Sequence, residues 1–263
     1  MSDLDLSARR AVVTGASAGI GAEVVRAFAE HGAAVAFCAR HLEGVDALAA
    51  ELSDLPGPVH GLVADMADGA EVARFCDEAE TALGGVDILV NNVGASPSRN
   101  FLYMADEEWE DLFRLNLLSA VRCTRRFLPG MREQRWGRVV MVGTVASKYP
   151  NAALVDYAAS KAALSATAKA LARKYAADNV LVNSVLPGRI RTPMWEGAAA
   201  EIAASSHGDV EAVFGERSRD IPLGRFGKPA EIANVVLFLA SEMASYVAGA
   251  TIDIDGGLAS YVY

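Results

Sequence analysis

No run in this sequence is long and apolar enough to cross a bilayer, and the opening residues, MSDLDLSARR, carry no apolar signal segment. A soluble, cytoplasmic protein with no membrane partner is therefore expected. Cysteine is scarce. Cys38, Cys76 and Cys123 are odd in number, far apart and set in apolar patterns; they read as small core residues of a reduced compartment, not as a disulfide framework. His31, His41, His60 and His207 show no ligand spacing, so no metal site is expected. Basic charge is short as well: 24 Lys and Arg face 33 Asp and Glu, a formal charge of −9. That balance argues against nucleic acid, whose phosphates would be repelled. Acidic, solvated faces account for it. Proline- or serine-rich linkers and internal repeats are also missing, so residues 1–263 are expected to form one domain.

What the chain does have is apolar and regular. Hydrophobic residues make up 52% and charged residues 22%, a globular balance that leans towards burial. Alanine is abundant in stretches that also carry leucine, lysine and glutamate, which favours helix. Short β-branched runs alternate with longer helical patterns. RRAVVTG leads into a helix from about Gly19 to His31, and AAVAFCA into one from about Leu42 to Leu52. PVHGLVAD precedes a helix over about 68–83, and VDILVNN a loop and a long helix around 107–134. GRVVMVG is followed by a helix over about 155–177, and VLVNSVLPG and GATIDIDGG bring the strands to seven. Such alternation predicts an α/β fold, a parallel sheet of about seven strands with helices on both faces. The glycine-rich first turn points to a doubly wound, Rossmann-type sheet over a barrel. The alternation lapses over about 188–228, a length that suits a substrate-binding element or lid.

The turn TGASAGIG, residues 14–21, lies between the first strand and the first helix. Gly15 can turn tightly, and Gly19 and Gly21 let backbone amides and the helix N-terminus approach a pyrophosphate. The spacing is G-x-x-x-G-x-G, unlike the commoner G-x-G-x-x-G. At the end of the second strand, where an acid would accept the ribose hydroxyls of NAD, the chain reads Ala39 then Arg40. A guanidinium pairs with a 2′-phosphate. NADP(H) is favoured, with NAD(H) as the alternative.

These residues resemble the classical short-chain dehydrogenase/reductase family over essentially the whole chain. TGASAGIG is similar to its glycine motif, and NNVG at 91–94 to its Asn-Asn-Ala-Gly, with Val93 in place of alanine. YAASK at 157–161 matches its Tyr-x-x-x-Lys. LPGRIRTPM, LGRFGKPAEIANVVLFLAS and IDIDGG resemble its C-terminal part, most closely the 3-oxoacyl-acyl-carrier-protein reductase-like branch.

The chemistry can be argued from side chains too. Reducing a ketone puts hydride on carbon and needs a proton on oxygen. A tyrosine of ordinary pKa near 10 is only ~0.1% phenolate at pH 7, and a nearby ammonium brings it towards the useful range. Tyr157 and Lys161 are i and i+4 on a predicted helix and so share a face. The resemblance assigns Tyr157 as general acid/base and gives Lys161 a hydrogen bond to the nicotinamide ribose. It also implies that Asn116 holds a water beside the lysine. The family's substrate-binding serine falls at Thr144, which keeps the hydroxyl and adds a methyl; Ser147 is the competing candidate. Further cofactor contacts implied by the resemblance are Ser17 and Ile20 in the glycine loop, Asp65 with Met66 at the adenine, and Asn92 and Gly94 at the ribose. Pro187, Ile190 and Thr192 match the segment that fixes the carboxamide.

The substrate is expected to be a small ketone or secondary alcohol. Phe101, Tyr149, Met194, Trp195 and Phe214 are candidate apolar lining, each equally readable as core; Arg99, Arg189 and Arg191 are candidates to meet a carboxylate or phosphate, but at least two of them read better as solvated arginines. Related carrier-protein reductases dock an acidic partner on basic residues. Arg135 fits one such position, but Asp178 occupies the other, and this weighs against fatty-acid synthesis proper. The alternatives are a 3-oxoacyl-acyl-carrier-protein reductase of fatty-acid or polyketide synthesis, or a non-catalytic nucleotide-binding protein on the same fold. The latter is expected to lose the tyrosine or the lysine. An enoyl reductase is expected to space them further apart. Homotetramers built on the long helices and the C-terminal strand are implied by the resemblance, with the closing GLASYVY as a candidate interface.

Overall fold

A computed structural model describes residues 4–206 and 208–260; His207 and the last three residues of the closing run fall outside them. Seven strands form one parallel sheet: β1 (Arg10–Thr14), β2 (Ala34–Ala39), β3 (Val59–Val63), β4 (Ile88–Asn91), β5 (Gly137–Val142), β6 (Val180–Pro187) and β7 (Thr251–Ile254). Their order is β3-β2-β1-β4-β5-β6-β7. The chain winds outward from β1 in one direction and from β4 in the other, so the crevice between them is the switch point where α/β sheets take ligands.

The strands are apolar on both faces because helices cover both. Side chains alternate across a strand. Ala11, Val13, Val35, Phe37, Ile88, Val90 and Val140 enter the core under α1 (Gly19–Glu30), α2 (Leu42–Glu51) and α9 (Pro229–Ala240). Val12, Ala36, Cys38, Leu89, Val139 and Met141 enter the other core, under α3 (Gly69–Leu83), α5 (Ser119–Glu133) and α6 (Val155–Tyr175). All three cysteines are buried free thiols, and burial pushes Cys38 up to about 12.

Two expectations need refinement. The long helix around 107–134 is three segments: α4 (Asp106–Phe113), a π-helical turn (Arg114–Leu118) and α5. The segment 188–228 is a helical flap of α7 (Pro193–Ser206) and α8 (Val210–Ser218) over a small core of its own. Its base is pinched by a bridge between Ile190 and Gly227, with Arg191 N–H donating to the Gly227 carbonyl at 2.9 Å and Gly227 N–H to that of Arg189 at 2.9 Å.

The end of the sheet away from the crevice is tied by charge. Asp87 is 3% exposed and accepts from the Arg10 backbone N–H at 2.9 Å, Nε at 2.8 Å and Nη2 at 2.8 Å. Burial alone would raise this carboxyl, yet the Arg10 hydrogen bonds hold it below the ordinary range. A depressed carboxyl contributes stability above its unfolded pKa of about 3.9 and loses it as pH falls through the folded value. Asp87→Asn is therefore expected to lower stability at pH 7 by about 1–3 kcal/mol, a gap that narrows below about pH 4. Urea unfolding at the two pH values checks this.

Candidate active site

The glycine loop closes the C-terminal end of β1. Gly15 has φ +66° and Gly19 φ +61°, left-handed values that suit glycine. A methyl on Gly21 would sit 2.6 Å from the Gly15 carbonyl oxygen and 2.6 Å from Asn92 Nδ2, so the turn tolerates no side chain there. Asn92 clamps this turn from β4's end: its Nδ2 donates to the carbonyls of Thr14 at 3.0 Å and Gly15 at 2.8 Å. Thr14 Oγ1 in turn accepts from Asn92 N–H at 3.1 Å. Thr192, at the foot of the flap, rests its methyl against Gly19, where a Cβ would lie 3.3 Å from it.

Helix α1 begins without a side-chain cap: Ala18 offers none, and its first turn carries no acid. Its leading amides keep their capacity for an anion. Ser17 is exposed beside this turn and Ile20 is half-buried. On the rim, Arg40 and Asp65 are exposed; Arg40 has no hydrogen-bond or ion-pair partner among the described residues. A free cation at the end of β2 and a capless, glycine-built turn fit a phosphorylated dinucleotide. Met66 and Ile190 bury their side chains in the core, 2% and 4% exposed, which leaves only their backbones to face a ligand. Pro187 ends β6 and is buried.

A second group gathers at the ends of β4 and β5. Lys161 is 3% exposed and its Nζ donates to the carbonyls of Val93 at 3.2 Å and Val142 at 3.0 Å. Burial pushes this ammonium down to about 8. Gly94 makes room for it, since a Cβ there would lie 2.9 Å from Nζ. Burial raises the Tyr157 phenol, and a hydrogen bond with the Thr144 side chain opposes that rise. Thr144 stands at the end of β5 in an extended conformation and also accepts from Ala146 N–H at 3.2 Å. The Ser147 hydroxyl is spent on the Thr144 carbonyl at 2.7 Å. Of the two competing alcohols, Thr144 is the one that reaches the tyrosine.

Asn116 is buried in the π-helical turn. Its Nδ2 donates to the Ala95 carbonyl at 3.0 Å and to Ser160 Oγ at 3.1 Å, and its Oδ1 accepts from Ala95 N–H at 2.9 Å. Both amide hydrogens of the side chain are engaged, and Oδ1 uses one of its two acceptor positions.

Other expected site residues are occupied elsewhere. Arg99 pairs with Asp156 at 2.8 Å and Glu108 at 3.0 Å, Arg189 with Asp220 at 3.1 Å, and Arg191 with Glu196 at 2.7 Å and with Glu211. Trp195 and Phe214 both pack edge-on against Phe226, with ring centroids 5.0 and 4.9 Å apart; they form the flap's core. Phe101, Tyr149 and Met194 remain open, 58%, 56% and 55% exposed. No group of histidine, cysteine or carboxylates among the described residues could hold a metal.

Sequence reading missed Ser160 and Asp156, which hold the main chain of Tyr157 from both sides. Ser160 Oγ donates to the Tyr157 carbonyl at 2.8 Å, and Tyr157 N–H donates to Asp156 Oδ1 at 2.8 Å. Asp156 could have been noticed as an acid in a helix's first turn. Ser160 has no such signal.

The chain is similar to several known oxidoreductases. A family profile described as enoyl-(acyl carrier protein) reductase matches residues 15–259. A 3-oxoacyl-[acyl-carrier-protein] reductase of Thermotoga maritima is 38% identical over 256 residues, 96% of this chain and 98% of that one. A 3alpha-hydroxysteroid dehydrogenase of Mediterraneibacter gnavus is 38% identical over 252 residues, 95% of this chain and 96% of the relative. Among solved structures, L-sorbose reductase from Gluconobacter frateurii, complexed with NADPH and L-sorbose, superposes with a TM-score of 0.96 at 32% identity. The match covers 99% of this chain and all of that one.

The buried ammonium has a consequence for stability. A lysine whose folded pKa lies below its unfolded value of about 10.4 penalises folding fully below the folded pKa and ceases to do so above the unfolded one. Between pH 8 and about 10.5, the stability of the native protein is expected to rise relative to Lys161→Met, on the order of 1–3 kcal/mol. Paired denaturant titrations across that range give the slope and its sign.

Proposed function

The chain belongs to the short-chain dehydrogenase/reductase family of oxidoreductases acting between alcohols and carbonyls, and on that premise we propose that it interconverts an uncharged ketone and its secondary alcohol with NADP(H). The reading is supported by the buried Lys161 ammonium at the ends of β4 and β5, the Thr144–Tyr157 hydrogen bond and the uncapped glycine turn after β1.

Gly15, Ser17, Gly19, Ile20 and Gly21 would hold the pyrophosphate through backbone amides, and Arg40 the 2′-phosphate. Asp65 and the Met66 backbone would meet the adenine, Asn92 and Gly94 the ribose, and the main chain of Pro187 and Ile190 with Thr192 the carboxamide. The solved neighbour's complex with NADPH supports the choice of cofactor. When bound, the nicotinamide gives hydride to the carbonyl carbon or takes it back.

Everything else in the step is proton placement by this chain. Thr144 Oγ1 donates to the substrate oxygen, and Tyr157 gives that oxygen its proton as the carbon–oxygen double bond becomes single. The resulting phenolate is stabilised by the Lys161 ammonium. Two of that ammonium's three donors are fixed on Val93 and Val142, which leaves one for the ribose or the relay. Proton return runs from solvent past the main chain of Asn116. In the oxidative direction each transfer reverses.

The uncharged substrate follows from the ion pairs. Arg99, Arg189, Arg191 and Lys148 each face at least one carboxylate, so an anionic group bound by any of these four would have to break a pair. The exposed Phe101, Tyr149 and Met194 offer apolar contact instead. A carrier-protein-bound 3-oxoacyl group is the second reading, favoured by the Thermotoga maritima relative. Against it, Asp178 accepts from Arg132 Nε at 2.7 Å and lies 3.8 Å from Arg135, which sets an acid among the basic residues that an acidic carrier would need. One domain carrying both sites, assembled as a homotetramer, completes the proposal; light scattering tests the assembly.

The assay is NADPH oxidation against a panel of neutral ketones and sugars, with a β-ketoacyl thioester for the second reading. Tyr157→Phe is expected to lower kcat by about 10²- to 10⁴-fold, with Thr144→Ala impaired and Thr144→Ser active. Full turnover in Tyr157→Phe would reject the mechanism. Arg40→Ala is expected to weaken NADPH binding about tenfold and leave NADH unchanged, as read from the fluorescence of the bound nucleotide. A native preference for NADH would reject the cofactor assignment.

A further inference from the structure

Asp156 immediately precedes Tyr157 and is fully buried, with 0% exposure. A carboxylate in that position must be neutralised or well bonded. Its Oδ2 accepts from Arg99 Nη1 at 2.8 Å, and its Oδ1 from the Tyr157 backbone N–H at 2.8 Å. Arg99 comes from the loop after β4, at the edge of the substrate crevice. It binds that loop to two other segments: Nε meets Glu108 in the first turn of α4 at 3.0 Å, and its backbone N–H donates to the Ala153 carbonyl at 3.4 Å. Glu108 is itself fixed, accepting from Ala105 N–H at 3.0 Å.

We propose that Arg99 is a positioning residue for proton transfer: through the buried Asp156 carboxylate it fixes the main chain of Tyr157, so that the loop after β4 and the tyrosine are set as one unit. The proposal rests on the reading of Tyr157 as acid/base. It differs from the expectation that Arg99 meets an anion of the substrate, because both of its carboxylate partners belong to the protein.

The pair also matters by charge. The charged groups around Tyr157 are Lys161 on its own helix, Asp156 and Arg99 on its N-terminal side, and Glu108 from α4. Across the turn 145–147 lies Lys148, paired with Asp253 at 3.1 Å. Glu108 is 42% exposed on its side chain and screened by water. Asp156 is not, and Arg99 is its only cationic partner among the described residues. Without that guanidinium, an unpaired buried anion is left against the Tyr157 backbone N–H, and on this proposal its field opposes formation of the phenolate.

A test that needs no substrate follows the tyrosinate absorbance band during a pH titration. Each protein is measured against its own Tyr157→Phe counterpart, which cancels the other tyrosines. Arg99→Gln is expected to raise the Tyr157 midpoint by about one unit, a tenfold loss of phenolate at fixed pH. Asp156→Asn keeps the acceptor for the Tyr157 N–H and is expected to lower the midpoint. The double variant Arg99→Gln/Asp156→Asn should return close to the native value, a rescue that mere loosening of the fold would not give. Should Arg99→Gln not fold, the downward shift in Asp156→Asn still decides. Unmoved midpoints, or a double variant shifted as far as Arg99→Gln alone, would overturn the proposal.

On any carbonyl that the panel identifies, Arg99→Gln should lose about tenfold in kcat with KM nearly fixed. A raised KM with native kcat would make Arg99 a substrate anchor and overturn the proposal. Full turnover in Tyr157→Phe strikes instead at the acid/base reading, and the titration still reports whether the pair acts on that side chain.

Discussion

Lys161 keeps an ammonium inside the protein, and the arrangement around it follows from solvating that charge with the chain alone. Two of its donors need carbonyls, and these come from Val93, just past β4, and Val142, the last residue of β5. The ends of two neighbouring strands are thus set against one helix. Gly94 must lack a side chain to let the ammonium through, and the resulting turn places Ala95 where Asn116 can hold it by both amide and carbonyl. Asn116 also reaches Ser160, which returns to the carbonyl of Tyr157. The lysine, the strand ends, the π-helical turn and the main chain of Tyr157 are therefore tied together by hydrogen bonds that meet in the segment 93–95. A buried polar network of this kind is rigid when every member is satisfied and costly when one is missing.

The same stretch of chain joins the glycine loop to the Lys161 group, although the two come from different halves of the sequence. Asn92, two residues before Gly94, clamps the glycine turn, and Thr14 clamps Asn92 in return. The segment 91–95 is shared, with one end serving the turn and the other the lysine. Its position between β1 and β5 places it at the sheet's switch point.

Local pattern was enough to read the framework. Strand–helix alternation gave the layers, because a strand covered on both faces is a short apolar run, and the i, i+4 spacing of Tyr157 and Lys161 put them on one helix face. The charged residues were not legible in the same way. Arg99 finds Asp156 57 residues on, and Arg189 finds Asp220 31 residues on; no local spacing encodes either pair, so both arginines looked free. Trp195 and Phe214 looked equally ready to line a pocket until Phe226 was seen between them. The π-helical turn was hidden for another reason. A helical period of 3.6 or one extra residue reads alike in sequence, and the bulge is set by what Asn116 must reach.

The acidity of the whole chain takes on a local meaning at the crevice. An excess of carboxylates over cations means that an arginine near the site finds a protein partner before it meets a ligand, as Arg99, Arg189 and Arg191 do. On the flap, Arg191 bridges α7 and α8 through Glu196 and Glu211 and lies over the ring of Phe214, 4.3 Å from its centroid. These pairs hold the flap and the helix of Tyr157 in place. Arg40, outside these pairs, is the cation left exposed where a phosphate of the cofactor would arrive. Selectivity on such a surface comes from which cations the acids leave unpaired.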